Sequence, residues 1–436
     1  MKATVVGAGL AGVEASFCLA EKGIKVTLYE MRPTKMTPAH KTDLFSELVC
    51  SNSLKAMRHD SASGLLKEEM RRLGSITLRA ADKAIVPAGG ALAVDRELFA
   101  ETITEEIENH PNITVIREEV TSIPKGPTVI ASGPLTSDRL SLAIQEKIGE
   151  NALSFYDAAA PIVKSDSIDY VKVFAAARYG RGDDDYINCP FTKEEYEAFY
   201  EALISAETVE LEEFEKETFR VYEGCMPVEV MAKRGQDTLR FGPLKPVGLY
   251  DPKTGKRPYA VVQLRSEDKD KTNFNLVGFQ TNLKFPFQEK VFRMIPGLEN
   301  AVFTRYGVMH RNTFLNSPKV LDEFSRLKDD KELYFAGQMT GVEGYMESAA
   351  SGILAGLNLY RTLNGLKELK FPKETMIGAL QSHLSNEYTG DFQPMGANMG
   401  ILPPLGEKIK GKKERYTALA DRAEKIMDRF IEEEKI

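Results

Sequence analysis

The sequence has few of the residues on which several common classes of protein depend. Its 436 residues include no tryptophan and only four cysteines, and no apolar run reaches the length of a membrane-spanning helix. The scattered cysteines do not suggest a disulfide framework or a zinc site, so we expect a reducing, cytoplasmic location, no membrane partner and no metal. No basic and apolar leader precedes the first strand, which argues against secretion. A formal net charge of −7 argues against broad nucleic-acid binding but does not exclude a local basic patch.

The most informative feature near the start is a glycine-rich turn between a strand and a helix. The β-branched run 4–6 leads into a G-x-G-x-x-G pattern made of Gly7, Ala8, Gly9, Leu10, Ala11 and Gly12. The first glycine allows a sharp turn, the second lets the backbone approach a pyrophosphate, and the third lets the helix pack on the strand. A second strand, 25–29, delivers Glu30, 23 residues after Gly7, where a carboxylate can accept the hydroxyls of an adenosine ribose. This order of elements predicts a dinucleotide site, but it does not separate FAD from NAD.

A second glycine-containing element completes the cofactor site. The apolar strand 331–336 ends in Gly337 and Gln338, and a helix rich in small residues is predicted from about 344 to 363. Backbone N–H groups at the start of that helix could stabilise the negative charge of a reduced flavin. This arrangement, about 300 residues after the first motif, resembles the two-domain FAD-binding oxidoreductases. One departure is that many such flavoproteins carry aspartate where this chain has Gln338.

The segment between the two glycine elements predicts an inserted domain. It is rich in strands and turn signals, and it contains an acidic helix that begins with a capping-box pattern at Thr192 and Glu195. We therefore predict an α/β fold, with a Rossmann-like FAD-binding domain of the two-domain FAD oxidoreductase type and an inserted α+β domain. The predicted division is 1–157 for the first part of the FAD-binding domain, 158–300 for the substrate- and RNA-facing insert, and 301–436 for the second part with a C-terminal helical tail.

Four longer motifs are more specific than the cofactor patterns. They are YEMRP at 29–33, ELVCSNSLK at 47–55, EGCMPVE at 223–229 and RFGPLKPVGL at 240–249. Together with the AGQ element at 336–338, they closely resemble the folate- and FAD-dependent tRNA (uracil-5-)-methyltransferases, from the first strand to the C-terminal helix. A larger relative, the flavoprotein that modifies wobble uridines in tRNA, shares the FAD elements but has an added C-terminal region that this chain lacks.

The resemblance implies a reaction and its partners. 5,10-Methylenetetrahydrofolate donates a one-carbon unit to C5 of the T-loop uridine of tRNA, giving 5-methyluridine. Reduced FAD supplies the reducing equivalents, and NADPH or NADH re-reduces the flavin. Other interpretations stay open: the same chemistry on a ribosomal RNA uridine, a flavin oxidoreductase with a small-molecule substrate, or a flavin-bearing RNA-binding module without turnover.

Residue chemistry explains why that reaction needs a thiolate and a base. Uracil C5 is a poor nucleophile until a group adds to C6, so a thiolate is a natural activator, and a base must then remove the C5 proton. By resemblance, Cys225 matches the family's nucleophile. Cys50 matches a cysteine beside the flavin that serves as general base, in the same loop as the cofactor-binding candidates Ser51 and Asn52. The residues alone favour a buried inert thiol at both positions, and Glu223 would raise the pKa of the neighbouring Cys225.

The remaining candidates concern folate and RNA. By resemblance, His310 could stack on a pterin, with Glu343 and Tyr345 lining the same pocket; a hydrogen-bonded loop histidine is the alternative. An acidic protein also needs a local positive surface to meet phosphate. The candidates are the basic run 408–415 and four residues of the insert, Lys233, Arg234, Arg240 and Lys245, although such clusters are often only solvated surface.

Overall fold

The computed structural model describes residues 1–37, 39–149, 153–158, 160–180, 185–209, 226–385, 392–406 and 408–436. For residues 153–158 and 309–313 the description is confined to the backbone. Within these ranges, no helix combines the length and the apolar character needed to cross a bilayer.

Helices and strands alternate along the first third of the chain, and strands dominate the middle. The helices are α1 (Leu10–Glu21), α2 (Ala62–Arg72), α3 (Ile76–Lys83), α4 (Arg96–Glu108), α5 (Asp138–Ile148), α6 (Lys193–Ser205), α7 (Val228–Ala232), α8 (Thr238–Phe241), α9 (Phe285–Phe292), α10 (Ser317–Val320), α11 (Tyr345–Leu363), α12 (Met376–Ser385) and α13 (Lys412–Glu434). The strands are β1 (Lys2–Val6), β2 (Lys25–Tyr29), β3 (Ser53–Ala56), β4 (Ile85–Val86), β5 (Ala91–Val94), β6 (Ile113–Ile116), β7 (Thr128–Ile130), β8 (Leu153–Ala158), β9 (Ile162–Lys164), β10 (Phe174–Ala175), β11 (Tyr186–Phe191), β12 (Ala260–Ser266), β13 (Asn273–Leu276), β14 (Phe303–Arg305), β15 (Met309–Phe314) and β16 (Leu333–Phe335).

A parallel five-stranded sheet with the order β16-β7-β1-β2-β6 positions the site. In its register, Val6 of β1 pairs with Ile130 of β7, and Phe335 of β16 pairs with the same Ile130. The carboxyl ends of β1, β7 and β16 therefore share one edge. Because β1 lies between β2 and β7, the chain changes direction across the sheet at β1, which is where open α/β sheets bind ligands.

Helices α1 and α11 join the two ends of the chain over this sheet. A methyl group on Gly352 would lie 2.1 Å from the carbonyl oxygen of Ala11, and one on Gly356 would lie 3.0 Å from that of Ala15. The small residues of α11 therefore let the backbones of the two helices approach closely. This contact brings the second glycine element next to the first.

A second sheet occupies the insert, with the order β10-β11-β12-β13-β9-β14. All its pairings are antiparallel, and Arg265 of β12 lies opposite Asn275 of β13. Its strands run in sequence from 162 to 305, between β7 and β16 of the first sheet. The domain boundaries at 157 and 300 stay a prediction.

Local capping explains where two helices begin. The predicted capping box of α6 is confirmed, since Glu195 N donates to Thr192 Oγ1 at 3.2 Å and Thr192 N donates to Glu195 Oε2 at 2.8 Å. The apolar spacing between residues 57 and 73 predicts a helix over that whole range, but α2 begins only at Ala62. Ser61 caps it by accepting Gly64 N at 3.1 Å, so the cap rather than the apolar face fixes the start.

Candidate FAD and methyl-transfer site

The glycine turn after β1 leaves the start of α1 open to a ligand. Gly7 has a φ of +99°, and its N–H donates to Tyr29 O at 2.8 Å. A methyl group on Gly12 would lie 1.7 Å from Gly7 O, so this approach requires glycine. Gly9 is the N-cap of α1; no side chain caps the helix, and a methyl group on Gly9 would meet nothing within 4 Å. The first-turn N–H groups of α1 are therefore available to an anion.

Glu30 lies at the end of β2, beside this turn. Its Oε2 accepts Ala8 N at 3.0 Å, and its Oε1 accepts the backbone N–H and Nε of Arg32 at 3.1 and 2.9 Å. Burial alone would raise the pKa of the Glu30 carboxyl, but the hydrogen bonds and charge of Arg32 outweigh burial and lower it. The carboxylate is therefore held ionised, and its remaining lone pairs can accept ribose hydroxyls.

The second glycine element also ends in an uncapped helix start. Gly337 has a φ of +86°, and its N–H donates to Ser351 Oγ at 2.7 Å. Gly344 is the N-cap of α11 with a φ of +128° and no side-chain cap, and a methyl group there would lie 2.2 Å from Glu347 Oε2. The positive φ at both positions favours glycine, and no side chain caps the first turn of α11.

The glutamine that replaces the usual aspartate has a specific partner. Gln338 Nε2 donates to Glu343 Oε2 at 2.7 Å. An aspartate at position 338 would put a second carboxylate beside Glu343, whereas the amide forms a hydrogen bond with it. Gln338 departs from the flavoprotein pattern, and Glu343 of the same glycine element provides the hydrogen-bond partner that suits it.

One cavity of about 510 Å³ connects the two glycine elements. This volume is typical of small-molecule sites, which enclose roughly 300–1,000 Å³. Two uncapped helix starts and an ionised carboxylate meet in it, and this set of groups fits FAD, whose pyrophosphate is an anion and whose ribose carries hydroxyls. Three predicted residues, Ala8, Gly12 and Asn52, do not line the cavity. The predicted residues that line it are Gly7, Gly9, Leu10, Ala11, Glu30, Cys50, Ser51, Gly337, Gln338, Glu343 and Tyr345.

Cys50 lines the cavity from a short segment, residues 48–52, which we call the Cys50 loop. The phenol oxygen of Tyr345 accepts the N–H groups of Cys50 and Ser51 at 2.8 and 3.2 Å. Burial raises the pKa of Tyr345, and the nearby Cys50 adds to that shift, so the phenol stays neutral. Tyr345, predicted to line the folate pocket, therefore also fixes the backbone that carries the Cys50 thiol.

The second predicted cysteine, Cys225, lies outside the described residues. The described chain resumes at Met226, and Val228 N donates to Gln280 O at 2.7 Å. Gln280 in turn lines the cavity. Glu229 secures this contact, since it accepts Thr281 Oγ1 at 2.8 Å and Asn282 N at 2.7 Å. The described residues that follow the Cys225 motif therefore lie next to the cavity wall.

The other two cysteines lie in the packed interior. Burial raises the pKa of Cys18 to about 12, and it also raises the pKa of Cys189. Neither thiol lines the cavity. Both have the character of inert core thiols.

The folate candidates are only partly described. Glu343 lies in the cavity wall beside Tyr345 and is bonded to Gln338, as given above. His310 belongs to β15, whose backbone pairs with Asp157 of β8. The side chain of His310 lies outside what the structure describes, so its stacking role stays a prediction.

The four basic candidates of the insert lie near α7 and α8 and away from the cavity lining. Lys233, Arg234 and Lys245 are exposed. Arg240 is half-buried: its guanidinium lies 3.7 Å from the ring centroid of Tyr259, and its Nη1 donates to Asp237 Oδ1 at 2.5 Å. Arg240 therefore also has a structural role, and all four residues remain predicted RNA contacts.

Several site residues were not found by the sequence reasoning. Arg32 stands inside the YEMRP motif, so a signal for it existed. Arg96, Arg265 and Arg305 bond to the Cys50 loop, but they are distant in sequence and stand in no cofactor pattern. Only the fold brings them together.

Comparison with known proteins places this chain in a family. The glucose inhibited division protein A family matches residues 2–367. Methylenetetrahydrofolate–tRNA-(uracil-5-)-methyltransferase TrmFO of Anoxybacillus flavithermus is 59% identical over 431 residues, covering 99% of each chain. The protein of the same name from Heliobacterium modesticaldum is 59% identical over 437 residues, covering 100% of this chain and 99% of the relative.

A solved structure supports the fold. GidA of Aquifex aeolicus superposes with a TM-score of 0.69 at 17% identity, covering 98% of this chain and 76% of the GidA chain. The predicted fold class, a Rossmann-like FAD-binding domain with an insert, is confirmed. The chain belongs to the glucose inhibited division protein A family and, within it, to the methylenetetrahydrofolate–tRNA-(uracil-5-)-methyltransferases.

Proposed function

We propose that this protein methylates C5 of the T-loop uridine in tRNA, with 5,10-methylenetetrahydrofolate as carbon donor and FAD as cofactor. One observation carries the proposal: the thiol-bearing Cys50 loop lines the same cavity as both glycine elements. A flavin oxidoreductase of the general type needs the glycine elements but no cysteine at that position. The 59% identity to named relatives over the whole chain supports the same conclusion.

The residues proposed to hold FAD lie along the cavity, with different groups of them assigned to the adenosine, the pyrophosphate and the flavin. The first turn of α1 and Gly9 receive the pyrophosphate, and Glu30 receives the adenosine ribose. Gly337, Gln338 and the start of α11 border the flavin. When bound, FAD supplies the reducing equivalents that convert the transferred carbon to a methyl group.

The two cysteines divide the work on the uracil ring. Cys225 Sγ adds to C6, which makes C5 nucleophilic towards the one-carbon unit. Cys50 Sγ then removes the proton from C5, so that elimination of the Cys225 thiolate restores the ring double bond. The hydrogen bonds of Tyr345 to the Cys50 loop keep the thiol at the cavity wall while the proton is transferred.

The remaining parts of the proposal concern partners and location. NADPH or NADH re-reduces the flavin, His310 and Glu343 contact the folate, and the exposed Lys233, Arg234 and Lys245 of the insert meet tRNA phosphates. The reaction as proposed needs no metal ion. The protein works in the cytoplasm, where tRNA, reduced folates and reduced nicotinamides occur together.

The test is a nucleoside analysis of tRNA after incubation. Purified protein is mixed with an unmodified tRNA transcript, methylenetetrahydrofolate and NADPH, and the digest is examined by mass spectrometry. We expect 5-methyluridine, absent when folate is omitted and absent when the T-loop uridine is replaced by cytidine. NADPH oxidation without 5-methyluridine would contradict the proposal, and product on a ribosomal RNA fragment but not on tRNA would move it to that substrate.

A further inference from the structure

Three arginines converge on the Cys50 loop. Arg96, from α4, donates to the carbonyl oxygen of Leu48 and, at 3.3 Å, to that of Cys50. Arg305 of β14 donates to the carbonyl oxygen of Val49. Three consecutive carbonyl groups of the loop therefore accept hydrogen bonds from guanidinium groups.

Arg265 makes the most specific of these contacts. Its Nη2 donates to Ser51 Oγ at 2.7 Å, and its Nε donates to Asn52 Oδ1 at 2.9 Å. Only 6% of Arg265 is exposed and none of Asn52. A buried guanidinium that grips two neighbouring side chains fixes both their position and their orientation.

Asn52 extends this contact to strands β5 and β12. Its Nδ2 donates to Val94 O of β5 at 3.1 Å and to Ser266 O of β12 at 2.9 Å. The amide is thus fully used: Arg265 occupies its oxygen, and two backbone carbonyls occupy its nitrogen. Loss of Arg265 would leave the buried Asn52 oxygen without that partner, which is costly for a buried polar group.

The insert also acts on the loop through an ion pair. Glu267, immediately after β12, binds Nε of Arg96, and only 6% of Glu267 is exposed. Arg265, Glu267 and Arg305 all come from the strands of the second sheet or their ends. The Cys50 loop, which belongs to the FAD-binding half of the chain, is therefore held in part by the insert.

We propose that Arg265 is a positioning residue for the methyl-transfer reaction: through Ser51 and Asn52 it holds the Cys50 thiol at the cavity wall. The proposal rests on the proposed function, because Cys50 serves there as general base. The proposal also implies that the insert has two roles in the reaction: it binds RNA, and it positions the Cys50 loop through Arg265. Arg265 itself does not line the cavity, so it acts on the reaction only through the loop.

The test compares Arg265→Gln with Arg265→Lys and with a matched control. Arg178→Gln is that control, because Arg178 also donates two hydrogen bonds, to Gln263 Oε1 at 2.7 Å and to Val247 O at 2.9 Å, but none to the loop. The measurements are flavin content, hydrogen exchange of peptides covering 48–52, the rate of Cys50 alkylation by iodoacetamide, and the kcat and KM for tRNA.

We expect Arg265→Gln to keep its FAD and its KM for tRNA. Its loop amides should exchange at least about tenfold faster, because a hydrogen bond to a charged group contributes that factor or more. Cys50 alkylation should rise and kcat should fall, each at least about tenfold. Arg265→Lys, which can make one of the two bonds, should partly reverse the changes in exchange, alkylation and kcat. Arg178→Gln should resemble the wild type.

Three results would overturn the positioning role. One is unchanged exchange and alkylation in the loop of Arg265→Gln, and another is a loosened loop with an unchanged kcat. Loss of exchange protection throughout Arg265→Gln, with none recovered in Arg265→Lys, would also contradict it, since it would mark a general folding role. If the wild-type protein forms no 5-methyluridine, that result contradicts the proposed function. The exchange and alkylation measurements do not depend on turnover, so they still decide whether Arg265 orders the Cys50 loop.

Discussion

At the scale of single residues, Gly9 and Gly12 are required for different reasons although both belong to the same motif. Gly12 faces protein, where an added methyl group would lie 1.7 Å from Gly7 O. Gly9 faces the open cavity, where an added methyl group would meet no protein atom within 4 Å. Gly12 therefore serves packing, and Gly9 serves the ligand.

This difference predicts that alanine substitutions separate folding from FAD binding. Gly12→Ala should lower the free energy of unfolding of the FAD-free protein by about 1–3 kcal/mol, as overpacked cores do. Gly9→Ala should change that free energy by no more than about 1 kcal/mol but weaken FAD binding at least about tenfold, because the methyl group occupies the pyrophosphate's approach. Denaturant unfolding and FAD titration measure the two quantities, and equal behaviour of the two variants would be evidence against the assignment.

A second prediction at this scale concerns the nucleophile. Cys225→Ala should keep FAD but lose the covalent adduct with RNA that contains 5-fluorouridine, because only a thiol adding to C6 forms it. Denaturing gel electrophoresis detects the adduct as a slower band. Cys18→Ala removes a core thiol that does not line the cavity and should keep the adduct. An adduct that persists in Cys225→Ala would assign the nucleophile to another residue.

The residues that sequence reasoning finds and misses differ in a physical way. Gly7, Glu30 and Gly337 follow from local spacing, because a strand, a turn and a helix are consecutive in the chain. Arg265 reaches the Cys50 loop from more than two hundred positions away, through the pairing of β12 with its neighbours. No local pattern encodes such a contact. The resemblance to a family supplied the cysteines, but it supplied none of the arginines that hold Cys50.

At the scale of elements, helix α2 carries a buried lysine below the site. Lys67 is 3% exposed, and its Nζ donates to Ala56 O at 2.9 Å and to Ser63 O at 3.0 Å. Burial lowers the pKa of Lys67 to about 8, against the attraction of Glu347 and with smaller contributions from Lys55 and Arg71. The ammonium group is thus satisfied by two carbonyls, but it is less stable here than in water.

The shifted pKa predicts a pH dependence of stability. Between about pH 8 and the unfolded value near 10.4, the unfolded chain binds a proton that the folded chain has lost, so the Lys67 contribution to the free energy of unfolding rises with pH, by up to about 3 kcal/mol. Below pH 8 both states are protonated and the slope disappears. Lys67→Met should remove this rise, whereas Lys83→Met, at an exposed position of α3, should keep it. Urea unfolding at pH 7.5 to 10.5 measures it, and a slope that is the same in both variants would rule out Lys67 as its source.

Elements differ in how far the sequence determines them. The capping box of α6 and the start of α11 at Gly344 are local and were predicted correctly. The start of α2 was predicted too early, because the apolar pattern continues past the Ser61 cap. The strand order of the second sheet was not predictable, since β9 pairs with β13 and β14, far along the chain.

At the scale of the whole molecule, an acidic protein must bind an anionic RNA. The net charge of −7 gives no general attraction, so we expect tRNA binding to depend on local groups, for which the exposed Lys233 and Lys245 are candidates. Each lysine that contacts a phosphate releases counterions and adds about 0.7–0.9 to the magnitude of the slope of log affinity against log salt. A local surface on the insert would let the chain stay acidic overall.

Removing these two charges should weaken tRNA binding uniformly. Lys233→Ala combined with Lys245→Ala should reduce the slope of log affinity against log salt by about 1–2, without changing the position methylated. The control is the double variant of two exposed lysines of the FAD-binding half, Lys125→Ala with Lys331→Ala, which makes the same change in net charge. Filter binding between 50 and 300 mM salt, about the range over which such contacts are lost, gives the slopes. An equal effect of both double variants would place the RNA surface elsewhere.

The most direct measurement follows the transferred carbon itself. Methylenetetrahydrofolate carrying deuterium at both positions of the bridging carbon is supplied with unmodified tRNA, NADPH and the purified protein, and the nucleosides are analysed by mass spectrometry. The proposed function predicts 5-methyluridine whose methyl group holds both deuterium atoms and one hydrogen from the reductant. Unlabelled 5-methyluridine, or none while the flavin is reduced and reoxidised, would contradict it.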